Sequence, residues 1–449
     1  MYLITSCASC AAPLEPTGTG VKKCSRCKTR YCSASCQRDH WKKRGGHKTT
    51  CEKIAADGGA EQFYTLEKYQ DAVTEGFVAC EEPPASVTCY ICNSGRTKDE
   101  DCFVRGCACR GTEGFAHFTC LVGQARHAVE NKRESREAMW ARWHTCQQCG
   151  QQFHGVVRHA LGWSCWLSYR ALSEGNELQC RALDELGHGL FAVGRYEDAL
   201  AAFAGAATCW KAVPKERKSG HQQHVSQSLI AMCLSKLGRH GTPVINRKRL
   251  GKVAKPQSGL EMMNDALCTS PYYGAIDKRL QSIFFLRYAV CLLEDNSVAR
   301  AMKALIAATP EATRVLGEDH AIVIELDWRL SQAKYLSHFF CHDGYRNDLI
   351  LSIKAHVEVI GRSSRVLGNH HPTTRAIAAS LKLCFDEQLG WTLDDDVRKW
   401  LYVRRLLDGD FPPDPADFHF PPDPNDLTLD MMRQKALLER LNILDSSDD

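Results

Sequence analysis

The feature that most constrains this chain is the spacing of cysteine and histidine in its first 150 residues. Eight short pairs occur there, and in five of them two residues separate the members, as in Cys7-x2-Cys10 and Cys89-x2-Cys92. This spacing lets one tight turn direct two ligands at a single ion, with zinc to sulfur distances of about 2.3 Å, and zinc takes four ligands in a tetrahedron. Buried apolar cysteines would not recur at ligand spacing. Eight half-sites therefore predict four zinc ions in two modules.

The second set of pairs lies between Cys89 and Cys149 and has three further marks. A single residue separates Cys107 from Cys109, an Arg-Gly pair follows at once, and Phe153 stands four residues past the last cysteine. This run, GCACRGTEGFAHFTCL followed by CQQCGQQF, resembles the RING-CH family. The resemblance implies a cross-brace, in which the first and third pairs share one ion and the second and fourth share the other. The implied ligand sets are Cys89, Cys92, His117 and Cys120 on one ion, and Cys107, Cys109, Cys146 and Cys149 on the other.

The first set of pairs combines YCSASCQ, a Trp at position 41 and a final His-x3-Cys, and it resembles the MYND finger. In that family the first and third pairs share one ion, and the second and fourth pairs share the other. The resemblance implies the sets Cys7, Cys10, Cys32 and Cys36, and Cys24, Cys27, His47 and Cys51. The loop from Ala11 to Lys23 is longer than the family pattern, and extra residues precede His47. His40 is therefore a rival ligand, although the three-residue step to Cys51 favours His47.

Composition narrows the cellular setting and the partners. Ten further cysteines are scattered without paired spacing, which is typical of core residues in a reducing compartment. No stretch reaches about 18 apolar residues, so we expect a cytoplasmic or nuclear protein without a membrane span. Residues 1–60 hold 11 Lys or Arg against 4 Asp or Glu. Nucleic acid is an unlikely partner, because most of these cations bracket thiolate ligands whose charge they balance.

After Phe153 the pattern becomes helical. Residues Leu183 to Ala206 place small and large apolar residues at tetratricopeptide positions, with Gly187 and Ala199 where two antiparallel helices would touch. Two copies of one signature, RVLGEDH and RVLGNHHPTT, lie 51 residues apart and resemble the repeats of kinesin light chains. The periodicity predicts later helices at 276–293, 298–316, 322–339, 347–367 and 373–389.

The resulting architecture is mostly α, with two small cross-brace zinc modules followed by a TPR-like α-solenoid and a Pro/Asp-rich tail. The predicted domains are a MYND-type finger at 1–55, a linker at 56–84, a RING-CH-type finger at 85–158 and helical repeats at 160–390. A Lys, Gly and Pro-rich insertion near 241–274 is either a loop or a gene-model artefact. Residues 391–449 are predicted to be an acidic, proline-rich tail with a short helix. We expect the zinc modules to need metal and the helices to stand without it.

Two functions from different classes fit this organisation. One is a protein-interaction scaffold that docks partner segments on both fingers and on the helical repeats. The other is a RING-CH-type ubiquitin ligase, which the resemblance supports through Ile91, although the family's Trp is Gln124 here and the basic residue after the last ligand is Gly150. The sequence holds no phosphate-binding loop, hydrolase motif or SET core. Histidines outside the fingers are predicted to be core or surface residues: His154, His159, His188 and His356.

Overall fold

The computed structural model describes residues 3, 5–12, 14, 20–80, 82–84, 86–95, 103–131, 135–172, 176–214, 222–238, 259–268, 278–340, 346–369 and 371–389. The chain is mostly helical and divides into two compact units, Met1–Ile276 and Asp277–Asp449. The predicted tail at 391–449 lies outside the described residues. Across the part of the chain that is described, no helix combines the length and apolar character that crossing a membrane requires.

The first finger is a small two-stranded sheet followed by two helices. Strands β1 (Lys22–Lys23) and β2 (Arg30–Tyr31) pair in antiparallel register, and helices α1 (Ala34–Lys42) and α2 (His47–Ala56) follow. Ser33 is the N-cap residue of helix α1. Its side-chain oxygen accepts a hydrogen bond from the backbone N–H of Cys36 at 3.2 Å. This cap fixes the turn that carries two of the predicted ligands.

The segment predicted as a linker, residues 56–84, contains the long helix α3 (Ala60–Val78). This helix packs on α6 (Gly155–Tyr169), and its buried face consists of small residues that allow a close approach. A Cβ added at Gly76 would lie 3.7 Å from the Cβ of Ala160. The linker prediction missed this helix because small residues leave a weak apolar pattern in the sequence.

The second finger has the same plan with different lengths. Strands β3 (Phe103–Val104) and β4 (Ala116–His117) pair in antiparallel register, which stacks the Phe103 ring on His117 with 4.5 Å between centroids. Helices α4 (Phe118–Asn131) and α5 (Arg136–Ala141) follow. The finger rests on α6, where a Cβ at Gly106 would lie only 2.5 Å from the Cβ of Val157.

Helix α6 packs against α7 (Glu177–Ala192) through direct contact of their backbones. A Cβ at Gly162 would lie 2.8 Å from the Glu185 carbonyl oxygen, and one at Gly189 would lie 2.9 Å from that of Arg158. Helix α8 (Tyr196–Ala212) then packs on α7, where a Cβ at Gly187 would lie 2.4 Å from the Phe203 ring. Gly187 therefore does what the repeat pattern predicts, since only glycine allows this separation.

One apolar core joins the second finger to these helices. Trp140 lies on α5 and Trp143 lies just after it; they are 6% and 0% exposed and belong to the same cluster as Trp163 and Leu186. Leu3 from the first finger also enters this cluster. Residues of both fingers and of the helices thus bury their apolar surface together, which the separate domains predicted from sequence did not anticipate.

The predicted insertion at 241–274 is corrected in part. Helix α9 (Gln222–Lys236) packs against α10 (Gly259–Cys268), which lies inside that segment. The two helices approach closely, because a Cβ at Gly259 would lie 2.7 Å from the Ala231 carbonyl oxygen. Basic and proline residues at 241–258 obscured a helix whose own sequence, GLEMMNDALC, is helix-compatible. Residues 239–258 and 269–277 lie outside the described part of the chain.

The second unit contains five helices in its described residues, and each packs on the next along the chain. Their bounds are α11 (Lys278–Glu294), α12 (Val298–Leu316), α13 (Ala321–Phe340), α14 (Arg346–Val366) and α15 (Pro372–Leu389). The five helices predicted from periodicity are confirmed to within two residues at each end.

The repeated signature is a signal that ends one helix and begins another. Gly317 and Gly368 have φ of +84° and +91°, a left-handed conformation that closes α12 and follows α14. Three residues further on, the Nδ1 atoms of His320 and His371 accept hydrogen bonds from backbone N–H groups at 3.2 and 3.1 Å, in the first turns of α13 and α15. The two copies are therefore alike because each needs the same stop and the same cap.

Candidate metal centres

Two Cys/His clusters lie in the first finger, and the first is formed by its first and third pairs. The Sγ atom of Cys32 lies 3.6 Å from that of Cys10 and 3.4 Å from that of Cys36, and Cys7 completes the group. Two sulfurs come from the N-terminal segment and two from the start of α1. Cys10 and Cys32 are exposed, so this cluster lies at the surface.

The second cluster is buried and joins the turn before β2 to helix α2. The Sγ atoms of Cys24 and Cys51 are 3.7 Å apart, and Nε2 of His47 lies 3.3 Å from Sγ of Cys27. His47, and not its rival His40, lies in this group. His40 instead places its Nδ1 atom 3.2 Å from the hydroxyl of Tyr31.

The third and fourth clusters belong to the second finger and use the cross-brace pairing that its resemblance implies. Nδ1 of His117 lies 3.4 Å from Sγ of Cys92 and 3.7 Å from Sγ of Cys120, and the fourth member is Cys89. The remaining group is Cys107, Cys109, Cys146 and Cys149. The Sγ atoms of Cys109 and Cys146 are 3.8 Å apart. Both fingers therefore interleave their pairs, so neither cluster can form from one local turn.

The spacing within all four clusters fits zinc. Sulfurs at about 2.3 Å from a tetrahedral ion lie about 3.8 Å from one another, and a sulfur and an imidazole nitrogen lie about 3.6 Å apart. The distances above run from 3.3 to 3.8 Å. In each cluster all ligand atoms lie within 4.8 Å of one another. The four clusters are consistent with four zinc sites, each closed by four protein ligands.

Neighbouring thiols within a cluster influence the ionisation of one another. Burial would raise the pKa of Cys7, but hydrogen bonds from the backbone N–H groups of Cys10, Cys32 and Ser9 lower that pKa to about 6. In the same cluster, hydrogen bonding with Cys36 raises the pKa of Cys32 to about 12. The fourth cluster divides similarly, with the pKa raised at Cys107 by its thiol neighbours and lowered at Cys149. Neighbouring sulfurs cannot all carry charge unless a cation lies among them.

The surroundings of the ligands hold them in place. Burial and nearby His40 lower the pKa of His47, which keeps the imidazole neutral, as a zinc ligand must be. Gly114, with φ of +77°, passes so close to the fourth cluster that a Cβ there would lie 2.4 Å from the Cβ of Cys109. The Gly114 N–H donates to the Gln148 side-chain oxygen at 2.7 Å.

A buried carboxylate links the second finger to the helices, and the sequence did not reveal it. Glu185 on α7 accepts a hydrogen bond from Nε1 of Trp140 at 3.0 Å, faces Nδ1 of His144 at 3.0 Å and forms a 2.6 Å ion pair with Arg158 on α6. Burial opposes ionisation of Glu185, but Arg158 and His144 hold its pKa well below the usual range. His144 lies two residues before the ligand Cys146, so this polar network holds the segment that leads into the last pair of the fourth cluster.

The remaining histidines behave as the sequence predicts for core residues. His159 is buried and accepts from Nε1 of Trp163 at 3.0 Å, and His356 is buried with its Nδ1 atom 3.0 Å from the Ser352 carbonyl oxygen. Neither lies in a metal cluster among the described residues. Burial lowers the pKa of both, which keeps them neutral.

Comparison with known proteins identifies one of the two fingers. A family model described as the MYND finger matches residues 7–51, which contain the first two clusters. A search of curated proteins finds no match to the chain. MYND fingers mediate protein–protein interactions. The chain therefore carries a MYND finger together with further Cys/His clusters, and zinc binding and protein interaction are its supported properties.

Proposed function

We propose that this chain is a zinc-dependent protein-interaction scaffold, in which the MYND finger, a RING-CH-like finger and TPR-like repeats each offer a surface to partner proteins. The observation that carries this proposal is the closure of all four clusters. Each has four protein ligands, so a bound ion would have no open position at which to activate water or substrate. Zinc in such sites shapes a surface and performs no reaction.

The sixteen clustered side chains are the proposed zinc ligands. Elemental analysis of the purified full chain should find four zinc ions, and two or fewer would contradict at least one finger. Cys109→Ser should cost one ion. Its matched control is Cys209→Ser, a buried thiol on α8 that belongs to the apolar core and should keep all four. Equal zinc loss from both variants would contradict the ligand assignment.

Trp41 on α1 is the proposed anchor for partners of the MYND finger. Its side chain is 43% exposed although it is large and aromatic, and such residues often dominate binding at interfaces. We expect Trp41→Ala to remove a subset of the partners recovered with the full chain by proximity labelling. Leu66→Ala is the control, because Leu66 is 38% exposed on α3, outside the finger. Equal losses from both would contradict a specific role for Trp41.

The helices after residue 160 are proposed to be TPR-like repeats with a peptide-binding groove. Consecutive packing supports this, as do the contacts of α11 with α13 and of α13 with α15, because stacked helix pairs bring first helices together. Lys334 on α13 and Lys303 on α12 are both exposed. Lys334→Glu should change the recovered partners and Lys303→Glu should not, since first helices line the groove. The opposite result would place binding on the outer face.

The cross-brace in the second finger favours a second candidate, a RING-type ubiquitin ligase. The half-buried Ile91 lies in the first chelating turn, where the family contacts a ubiquitin-conjugating enzyme. The two tryptophans that could replace the family's missing one, Trp140 and Trp143, are buried and cannot contact an enzyme. An autoubiquitination assay with a panel of conjugating enzymes tests this candidate. Ubiquitin chains that form with the wild type but not with Ile91→Ala would establish the ligase. If no conjugating enzyme of the panel supports ubiquitination, the scaffold alone is favoured.

A further inference from the structure

Each Cys/His cluster of the MYND finger contains a pair of neighbouring cysteines, and the two pairs have nearly equal sulfur spacing but differ in solvent exposure. Cys10 and Cys32 are both exposed, and their sulfurs are 3.6 Å apart. Cys24 and Cys51 have sulfurs 3.7 Å apart but are only 6% and 3% exposed. The two thiol pairs therefore differ in the access of a reagent and not in the distance that a new bond would have to close.

Among its described residues, the second finger offers no comparable pair. In its first cluster only Cys92 is exposed, and the atom 3.4 Å from its sulfur is an imidazole nitrogen of His117, which cannot form a disulfide. In its second cluster Cys109 and Cys149 are half-buried and the other two are buried. Among the four clusters, the first is thus the one with two neighbouring sulfurs open to solvent.

We propose that Cys10 and Cys32 form a redox-sensitive modification site, at which a peroxide forms a disulfide and releases one zinc ion. Zinc-bound sulfur is thiolate, the nucleophilic form of cysteine. One thiolate attacks the O–O bond of the peroxide and becomes a sulfenic acid, with the departing oxygen leaving as water after protonation by solvent. The second thiolate attacks the sulfenic sulfur and displaces its oxygen, which also leaves as water. Two electrons pass from the sulfurs to the peroxide, and two protons come from solvent.

The ion then loses two of its four ligands. Cys7 and Cys36 alone do not complete a tetrahedron, so the ion should dissociate, whereas the buried cluster keeps all four of its ligands. The finger should stay folded, because its apolar core includes Cys27, Tyr31 and Ile54 around the buried cluster. The change is confined to the N-terminal turn that carries Cys10 and the segment that leads from Cys32 into α1, and a thiol reductant should reverse it.

The test uses the full chain loaded with zinc, whose zinc content is measured first. Hydrogen peroxide is added in steps up to one equivalent, released zinc is followed with a chromogenic chelator, and cysteines are mapped by differential alkylation and mass spectrometry. We expect one of the four ions to be released. The thiols of Cys10 and Cys32 should become oxidised, and so stop reacting with the alkylating reagent, about tenfold faster than those of Cys24 and Cys51.

The variant Cys10→His separates this inference from simple damage. Histidine keeps a zinc ligand at this position but cannot form the disulfide, so the early release of one ion should disappear. If the variant holds fewer zinc ions before oxidation, the proposal is tested by the wild type alone, from the oxidation rate of Cys10 and Cys32 compared with that of Cys24 and Cys51. Equal oxidation of the exposed and buried pairs, or first release from the Cys92 cluster, would overturn the proposal. Fewer than four ions in the untreated wild type would instead contradict the zinc assignment.

Discussion

The two compact units of the chain are both built mainly from helices but depend on different interactions. In the first unit the tryptophans of the second finger share a core with α6, α7 and α8, and four metal clusters fix the fingers. In the second unit the described residues, 278–340, 346–369 and 371–389, contain no such cluster, and apolar packing and caps hold the helices. We therefore expect the helices of the first unit to share the metal dependence of its fingers, and those of the second unit to be independent of metal.

Removal of zinc is the strongest way to separate the units, with the largest expected effect. Chelation should unfold both fingers and also α6, α7 and α8, because structural zinc contributes on the order of 10 kcal/mol and the helices share the core that it supports. Helices α11 to α15 should stay protected. Hydrogen exchange with mass spectrometry, with and without chelator, measures this. Continued protection of α7 and α8 would show that the shared core does not couple them, as the sequence-based expectation held.

Arg158→Leu should destabilise the first unit by about 3–5 kcal/mol, since it leaves Glu185 charged and buried without its main partner. The ion pair of Arg362 with Asp327 in the second unit is the matched comparison. Water reaches Asp327, whose side chain is 22% exposed against 6% for Glu185, so Arg362→Leu should cost less. Denaturant titrations of each variant give the two values. A larger loss from Arg362→Leu would reverse the comparison.

Glycine substitutions compare how closely the helices pack in the two units. Gly187→Leu should destabilise the first unit by roughly 1–3 kcal/mol through overpacking against the Phe203 ring. A Cβ added at Gly361 on α14 would lie in open space. Because alanine favours helix more than glycine does, Gly361→Ala should stabilise the second unit by up to about 1 kcal/mol. Thermal melts followed by hydrogen exchange assign each change to a unit. Destabilisation by Gly361→Ala would mean that α14 packs more closely than its surroundings indicate.

The smallest expected effect is a pH dependence of the second unit. Burial and nearby Arg279 lower the pKa of His320, and its Nδ1 atom must be unprotonated to cap α13. The folded state favours the neutral ring, so this contribution is present above pH about 6.5 and is lost as pH falls below it. We expect a loss of about 1 kcal/mol, and His320→Asn should flatten it. An unchanged pH profile in that variant would exclude the cap as its cause.

Sequence reasoning succeeded where the signal was local. The pairs around Cys7 and Cys89 predicted the clusters, and periodicity predicted α11 to α15. It failed where small or polar residues act at a distance. Helix α3 was assigned to a linker because its buried face is Ala72 and Gly76, and α10 was hidden beside a basic segment. Glu185 has the appearance of an ordinary surface residue until α6 and the second finger are placed around it.

The amino-acid sequence alone was enough to predict the zinc chemistry, the helical periodicity and the two stop-and-start signals ending in His320 and His371. Each depends on residues that are near one another in the chain, so spacing suffices to predict them. The fold was needed to show that the second finger shares a core with α6, α7 and α8, that Trp140 and Trp143 are buried in it, and that one cluster of the MYND finger has two exposed cysteines while its neighbour is buried. These properties arise from contacts between segments up to about 190 residues apart, such as that of Thr5 with Asp198, which no local pattern encodes.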